Sequence, residues 1–229
     1  MSETVQKMFS TIASRYDLAN DVLSLGIHRL WRGQLVKRLK MQRGHKVLDL
    51  CCGTGDLAFE SAKQIAPDGR VVAIDFVDKM LEIANDKSES KKIKNVDFIQ
   101  GDAMQIPSAN SVFDFCTIGF GIRNVDDPLT CLKEIKRCLK NGGRLGVLEF
   151  GQPTLPGFKQ FFRFYSDHIM PIVGGLVTGQ KQAYKYLPET SKEFIAGEDF
   201  LDLMKKAGFR RVKLYPHLWG LAYSYVAEK

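Results

Sequence analysis

The sequence predicts an α/β protein: a mostly parallel, twisted, doubly wound sheet with a helical cap before it and an insertion before its last strands. Three observations predict it. From Lys46 to Phe150, short apolar runs alternate with amphipathic segments, the rhythm of strand-to-helix crossovers. The first run passes directly into a glycine turn in "VLDLCCGTGDLA", Val47 to Ala58. Between Gly151 and Ile195 the alternation stops among prolines, paired glycines and aromatics, and then resumes as one helix and two strands. The 229 residues suffice for one well-buried domain. They divide into a cap (1–44), a core (45–150), a substrate-side insertion (151–196) and a closing helix with strands (197–229).

Taken in order, Leu30, Leu35, Val36 and Leu39 recur near a 3.6-residue period, so the cap should be mostly helical and should cover the ligand edge of the sheet that follows. Tyr16, Asn20, Ser24 and His28 fall four apart, a polar stripe on one helix face unless Gly26 breaks it. The first strand carries Asp49 just before the turn. "RVVAIDF" ends a second strand in Asp75, and "VDFIQGDA" ends a third in Gly101-Asp102-Ala103. "VFDFCTIGFGIRN", Val112 to Asn124, is a fourth strand opening into a glycine-punctuated loop. Asp127 caps the next helix, Pro128 opens it, Leu129, Leu132, Ile135 and Leu139 share one face, and Gly142 follows its end. "GRLGVLEF" is strand five. A helix at Asp199 to Ala207 and the strands "RVKLY" and "AYSYVAE" close the chain.

Composition excludes several classes. No run of eighteen apolar residues and no apolar leader core occur, so the expectation is a cytosolic protein without a membrane span. Five cysteines without Cys-x-x-Cys spacing argue against a disulfide framework and a zinc site, and no metal is expected. Cys131 and Cys138 read as core residues. The net charge of +7 and pI near 9.1 suit an acidic partner without choosing between a membrane surface and nucleic acid.

The glycine turn itself admits several ligands. Gly53, Gly55 and Ala58 satisfy the G-x-G-x-x-G/A spacing of a dinucleotide site, whereas no Gly-Lys-Ser/Thr follows to make a phosphate loop. Asp56 in the first helical turn and Asp49 at the strand end put negative charge where a pyrophosphate needs a positive field. An adenosine bearing a sulfonium and an ammonium but no phosphate suits those charges, which points to S-adenosylmethionine. Asp75, about twenty residues after the glycines, can accept both ribose hydroxyls, and Asp102 stands beside the adenine amino group. Each acid alone reads equally well as a turn or cap residue; together they mark a crevice at the carboxyl ends of the strands.

Two stretches carry a more specific resemblance. "YDLANDVLSLGIHRLW", Tyr16 to Trp31, resembles the N-terminal signature of the ubiquinone/menaquinone biosynthesis C-methyltransferases through Tyr16, Asp17, Asn20, Ser24, His28 and Trp31, with Ala19 where the family usually has methionine. "RCLKNGGRLGVLEFG", Arg137 to Gly151, is similar to its second signature, with Asn141 and Gly151 in place of proline and serine. "FGIRNVDDP", "AYKYLPET" and "AGF" match in order and spacing, while the terminal "LWGLAYSYVAEK" departs from the usual ending. The resemblance covers nearly the whole chain. It implies a Rossmann-like class I methyltransferase fold and transfer of a methyl group from S-adenosylmethionine to a ring carbon of a prenylated quinol. It also implies cofactor contacts at Thr54, Asp75, Asp102 and Ala103, with Gly119 standing where the family often has a contacting serine.

Methylation at carbon needs an electron-rich ring, an in-line methyl donor and removal of a ring proton. A phenol titrates near about 10, so the site must stabilise or deprotonate the quinol hydroxyl. Arg123 is the candidate for electrostatic stabilisation and Asn124 for orienting the hydroxyl, against a loop-fixing salt bridge and a turn residue as the bland alternatives. Tyr16 and His28 are candidates on a lid, His28 as a proton relay or, alternatively, a structural hydrogen-bonding group. Phe158 to Val177, in which aromatics interleave with Lys159 and Arg163, suits either an anionic bilayer surface at the inner face of the membrane or a core or homodimer interface. A nucleic-acid methyltransferase is disfavoured, because "TIGFGIRN" lacks the Asn/Asp-Pro-Pro-Tyr/Phe type of motif and no basic-aromatic platform is evident. The remaining alternatives are a methyltransferase of another small aromatic or lipidic molecule and a non-catalytic binding protein.

Overall fold

The structure is a computed structural model that describes residues 3–229, except for the side chains of Glu3, Thr4, Lys185, Leu187 and Pro188. Three helices form the cap: α1 (Glu3–Ile12), α2 (Tyr16–Ser24) and α3 (Ile27–Leu39). Gly26 does break the polar stripe. Leu25 and Gly26 both take left-handed backbone, which ends α2 and leaves His28 on α3. Leu30 lies 59% exposed, so the inner face of α3 is instead His28, Trp31, Arg32, Leu35, Val36 and Leu39.

The core alternates β1 (Lys46–Leu50), α4 (Asp56–Ile65), β2 (Arg70–Asp75), α5 (Asp78–Ser90), β3 (Val96–Gln100), β4 (Phe113–Gly119), α6 (Pro128–Cys138) and β5 (Leu139–Phe150). Asp127 caps α6 as expected, accepting from the Leu129 and Thr130 amides. Leu139, expected on the helix face, instead begins β5. The register with β4 shifts there, Phe113 pairing with Leu139 but Phe115 with Arg144, and Gly142 takes φ +76° inside the bulge.

The insertion folds into α7 (Pro156–Phe164), a π-helical turn (Tyr165–Ile169), α8 (Met170–Thr178) and α9 (Ala183–Glu193). It is followed by α10 (Glu198–Lys206), β6 (Arg210–His217) and β7 (Ala222–Glu228). The seven strands form one sheet in the order β3-β2-β1-β4-β5-β7-β6. β1 to β5 are parallel, and β7 inserts antiparallel between β5 and β6.

Alternating strand residues feed two core layers. Leu48, Leu50, Cys116 and Ile118 pack toward α6 and α10, with Cys131 and Cys138 fully buried among them. Val47, Val71, Ala73 and Phe115 pack toward α3 and α4. A third cluster, in which Phe9, Ile12, Ala19 and the buried Tyr184 meet Val77 and Met80, fastens the cap and the insertion over the start of α5. Both ends of the chain's helical decoration therefore converge on the carboxyl edge of the sheet, where parallel-sheet ligands bind.

Candidate active site

The turn after β1 is made by three residues in left-handed backbone, Cys51 (φ 52°), Gly53 (φ 55°) and Gly55 (φ 86°), which swing the chain from strand to helix in five residues. The loop after β4 comes close to it. A Cβ on Gly121 would stand 2.3 Å from the Cys51 Cβ, so only glycine allows this approach. Two adjoining crevices result, with Cys51 lining both. One is bounded by Tyr16, Arg32, Asp49, Gly53, Thr54, Asp56 and Gly119, the other by Asp75, Gly101, Asp102, Ala103 and Val125. Gly55 is set back from both: it forms the N-terminus of α4, where an added Cβ would meet Phe59 and Phe98.

Asp75 is 7% exposed, and burial raises its carboxyl above the ordinary range against the pull of backbone amides. Its Oδ2 accepts from the Gly53 amide at 2.8 Å and its Oδ1 from the Val77 amide at 2.9 Å. Each oxygen keeps a second lone pair for a hydroxyl. Asp102 Oδ1 accepts from the Met104 amide at 2.8 Å. Asp49 is fully buried, and burial pushes its carboxyl up to about 7. Its Oδ1 accepts from Thr117 Oγ1 at 2.5 Å and the Ala58 backbone amide also draws on the carboxyl, while Oδ2 makes no hydrogen bond of ordinary geometry to a described residue. An unpaired buried acceptor costs stability unless a ligand donor meets it. These residues fit S-adenosylmethionine: Asp75 toward ribose, Asp102 and Ala103 toward adenine, Asp49 toward the ammonium.

Three expected roles change. Asp56 does not offer a free negative charge: its Oδ1 accepts from Lys87 at 2.7 Å and its Oδ2 from Arg32 at 3.1 Å. Burial works to raise its carboxyl, but those two cations outweigh it and hold the group below its ordinary value. Thr54 spends its hydroxyl on Asp17 Oδ1 at 2.5 Å and accepts from Lys87 at 3.1 Å, so its side chain ties the turn to the cap. His28 is 4% exposed and has both ring nitrogens engaged, Nδ1 with Arg32 Nη1 at 2.7 Å and Nε2 with Asp21 Oδ1 at 2.9 Å. Arginine can only donate, so Nδ1 is the acceptor and Nε2 carries the proton. Burial, reinforced by Arg32, lowers the imidazole's affinity for a second proton. His28 as placed is a structural link with no nitrogen free to relay a proton.

Arg123 also departs from its expected place. Its side chain is 3% exposed and forms an ion pair with Glu149, itself fully buried on β5; Nη1 donates to the Phe120 carbonyl at 2.7 Å as well. The guanidinium covers the Phe150 ring at 5.4 Å. A buried arginine must be paired, and the carboxylate one strand away supplies the pair. Arg123 therefore braces the turn Ile122–Asn124. Asn124 is 8% exposed, and its Oδ1 is a second buried acceptor without a partner among the described residues. Tyr16 lines the glycine-turn crevice, its ring edge-on to Phe9 at 6.0 Å.

Sequence reasoning missed Arg32, Lys87 and Glu149, and named Asp17 only as part of the resemblance. Arg32 and Glu149 left a signal, each a charge inside an apolar face or run; Lys87 and Asp17 look like ordinary solvated helix charges. Among the described residues no group of three metal-ligating side chains occurs.

The model of the ubiE/COQ5 methyltransferase family matches residues 1–229. The chain belongs to that family. Among curated relatives, a ubiquinone/menaquinone biosynthesis C-methyltransferase from Bdellovibrio bacteriovorus is 45% identical, over 97% of this chain and 94% of its own length. A demethylmenaquinone methyltransferase from Lactococcus lactis is 41% identical, over 99% and 90% respectively. A solved structure described as a putative S-adenosylmethionine-dependent methyltransferase from Methanococcus maripaludis superposes over 100% of this chain and 97% of its own, with a TM-score of 0.69 at 21% identity, which shows the shared fold. For this ubiE/COQ5 family member, the second signature's "VLEF" contains Glu149, so the residue that holds Arg123 lies within the stretch that carried the resemblance.

Proposed function

We propose that the ring methylated by this S-adenosylmethionine-dependent C-methyltransferase is that of a reduced, prenylated quinol of respiratory quinone biosynthesis, demethylmenaquinol or its methoxy-benzoquinol counterpart. The observation that carries the substrate class is the course of α2. It begins at the crevice residue Tyr16 and runs out to Leu25, 92% exposed, past Leu18 at 56%. The Tyr165 hydroxyl donates to the Leu23 carbonyl at 2.6 Å and so fixes α2 against the insertion, where Phe161, Phe164, Ile172 and Leu176 are exposed. The crevice residue Tyr16 is thus linked through α2 to a segment with several exposed apolar side chains, which suits a substrate with a prenyl chain.

When bound, S-adenosylmethionine would supply a methyl group on sulfonium to the ring carbon and leave as the thioether, the displaced ring proton passing to solvent. The residues of the chain prepare that event. Asn124 lines neither crevice, so its unpartnered, buried Oδ1 meets a quinol hydroxyl and fixes the ring only where ring binding uncovers it. Tyr16 walls the ring on the cap side. Arg123, neutralised by Glu149, holds the turn bearing Asn124. Arg163 and Lys159 beside the exposed phenylalanines favour an anionic bilayer, so the protein works peripherally at the inner face of the membrane. No described helix is long and apolar enough to cross it.

Methyl incorporation should be measured with both quinols, prenylated and unprenylated, with and without a reductant that maintains the quinol. Turnover confined to reduced, prenylated ring is the expected result. Equal rates without reductant would end the reading. Flotation with anionic vesicles tests the surface, Phe161→Ser and Leu25→Ser being expected to reduce binding. A stable dimer in sedimentation that protects the same face would replace the bilayer with a second copy.

A further inference from the structure

Arg32 reaches the glycine-turn crevice from the cap, on α3, with its side chain only 10% exposed. The two N–H groups of its Nη1 are spent, one on His28 Nδ1 at 2.7 Å and one on Asp56 Oδ2 at 3.1 Å. That leaves the donors on Nε and Nη2, which make no hydrogen bond to a described residue. Its orientation is fixed from behind, since His28 is held in turn by Asp21. The charge of Asp56 is shared with Lys87, so Arg32 is not consumed by that partner.

In the same crevice, arriving from β1, is Asp49 with its unpaired Oδ2. An arginine with unused donors and a carboxylate with an unused acceptor share one cavity without bonding to each other. The chemistry complementary to that pair carries an anion and a cation on one small group: a zwitterionic α-amino acid.

Resting on the S-adenosylmethionine reading, we propose that Arg32 binds the α-carboxylate of the cofactor's methionine end, while Asp49 receives its ammonium. Arg32 belongs to the cap and Asp49 to the sheet, so the amino-acid end of the ligand joins the two bodies. His28 and Asp21 are then positioning residues for Arg32.

The test is calorimetric binding of two ligands to the full chain. S-adenosylhomocysteine has the amino-acid end, and 5′-methylthioadenosine has the same nucleoside without it. Arg32→Met should weaken S-adenosylhomocysteine about tenfold to a hundredfold, the size of a lost charge-assisted bond, and leave methylthioadenosine within about threefold. Arg32→Lys, which keeps charge without the planar fork, should fall between. Equal loss of both ligands in Arg32→Met would mean that the arginine only holds the cap, and would overturn the proposal. Unchanged binding of both would overturn it as well. Wild-type protein that binds neither ligand would overturn the cofactor reading itself and the carboxylate site with it. That result is told apart because it precedes any substitution.

Discussion

Replacing Arg123 by methionine removes the counter-charge of a carboxylate that has no solvent to turn to. Glu149 is fully buried, and without the guanidinium it keeps the Phe150 amide at 2.8 Å and the Arg123 amide at 3.4 Å as its hydrogen-bond donors. Removing one member of a buried pair costs about 3–5 kcal/mol, because the other is left charged in a poorly polarisable site. For a chain of this length that is a fall in thermal midpoint of roughly 10 °C. Glu149 can escape by taking a proton. Burial already raises its carboxyl despite Arg123, and a raised acid loses stability as pH climbs from its unfolded value through its folded one. The loss in Arg123→Met should therefore be larger at pH 8 than at pH 5. Glu149→Gln in the same chain should recover at least about 2 kcal/mol, since the double variant leaves no buried charge. Urea unfolding of the wild type, both single variants and the double variant at the two pH values measures each term. A loss below about 1 kcal/mol in Arg123→Met, or single losses that simply add, would refute the buried-pair account and return Arg123 to the open crevice.

Asp49→Asn should trade function for stability: a carboxyl pushed up to about 7 from 3.8 carries a penalty that grows across that window. The variant should then be roughly 4 kcal/mol more stable at pH 8 but roughly 2 at pH 5, with weaker S-adenosylhomocysteine binding. His217, stacked on Trp31 and bonded to Ser224 at 2.8 Å, is pushed down to about 4 by burial and by Arg38. A depressed histidine loses stability as pH falls from its unfolded value, so His217→Gln should remove about 2 kcal/mol of the decline between pH 7 and pH 5 in pH-dependent melts. Gly174→Ala should cost about 1–3 kcal/mol because its Cβ would stand 2.2 Å from the buried Tyr184 ring, whereas Gly157→Ala on α7, in open space, should be neutral or slightly stabilising in the same melts.

The sheet was legible because its signals are local. Val71 to Ile74 is an apolar run and Phe115 to Ile118 one broken only by Thr117, both largely buried, and Asp75 after the first marks a strand end at the crevice. The break at Gly26 was legible for the same reason. Partner choice was not. Lys87 meets Asp17 across 70 positions, and nothing in "NDKSES" separates that lysine from its solvated neighbours. Arg123 was read from its place in a loop, yet its fate was set by Glu149 on the adjoining strand, which periodicity treats as one polar residue in a buried run. Seven of the eight expected cofactor residues line the two crevices; of the four expected catalytic residues, only Tyr16 does. Cofactor residues follow strand ends, which the chain order fixes. Catalytic ones depend on tertiary pairing.

The expected discrimination against a pyrophosphate would have a different physical basis from the one the charges suggest. Repulsion by Asp56 is weak where Arg32 and Lys87 neutralise it. What a diphosphate needs at a glycine turn is free backbone N–H groups. Here the Gly53 amide already donates to Asp75, and the Gly55 amide to the Cys52 carbonyl at 2.9 Å. Those two donors hold Asp75 in place and close the turn itself. Selectivity then rests on hydrogen bonds made within the protein rather than on a field that salt would screen. On the proposed cofactor reading, Asp75 would do two things with one carboxylate: it occupies an amide that a phosphate would use, and it keeps lone pairs for a ribose.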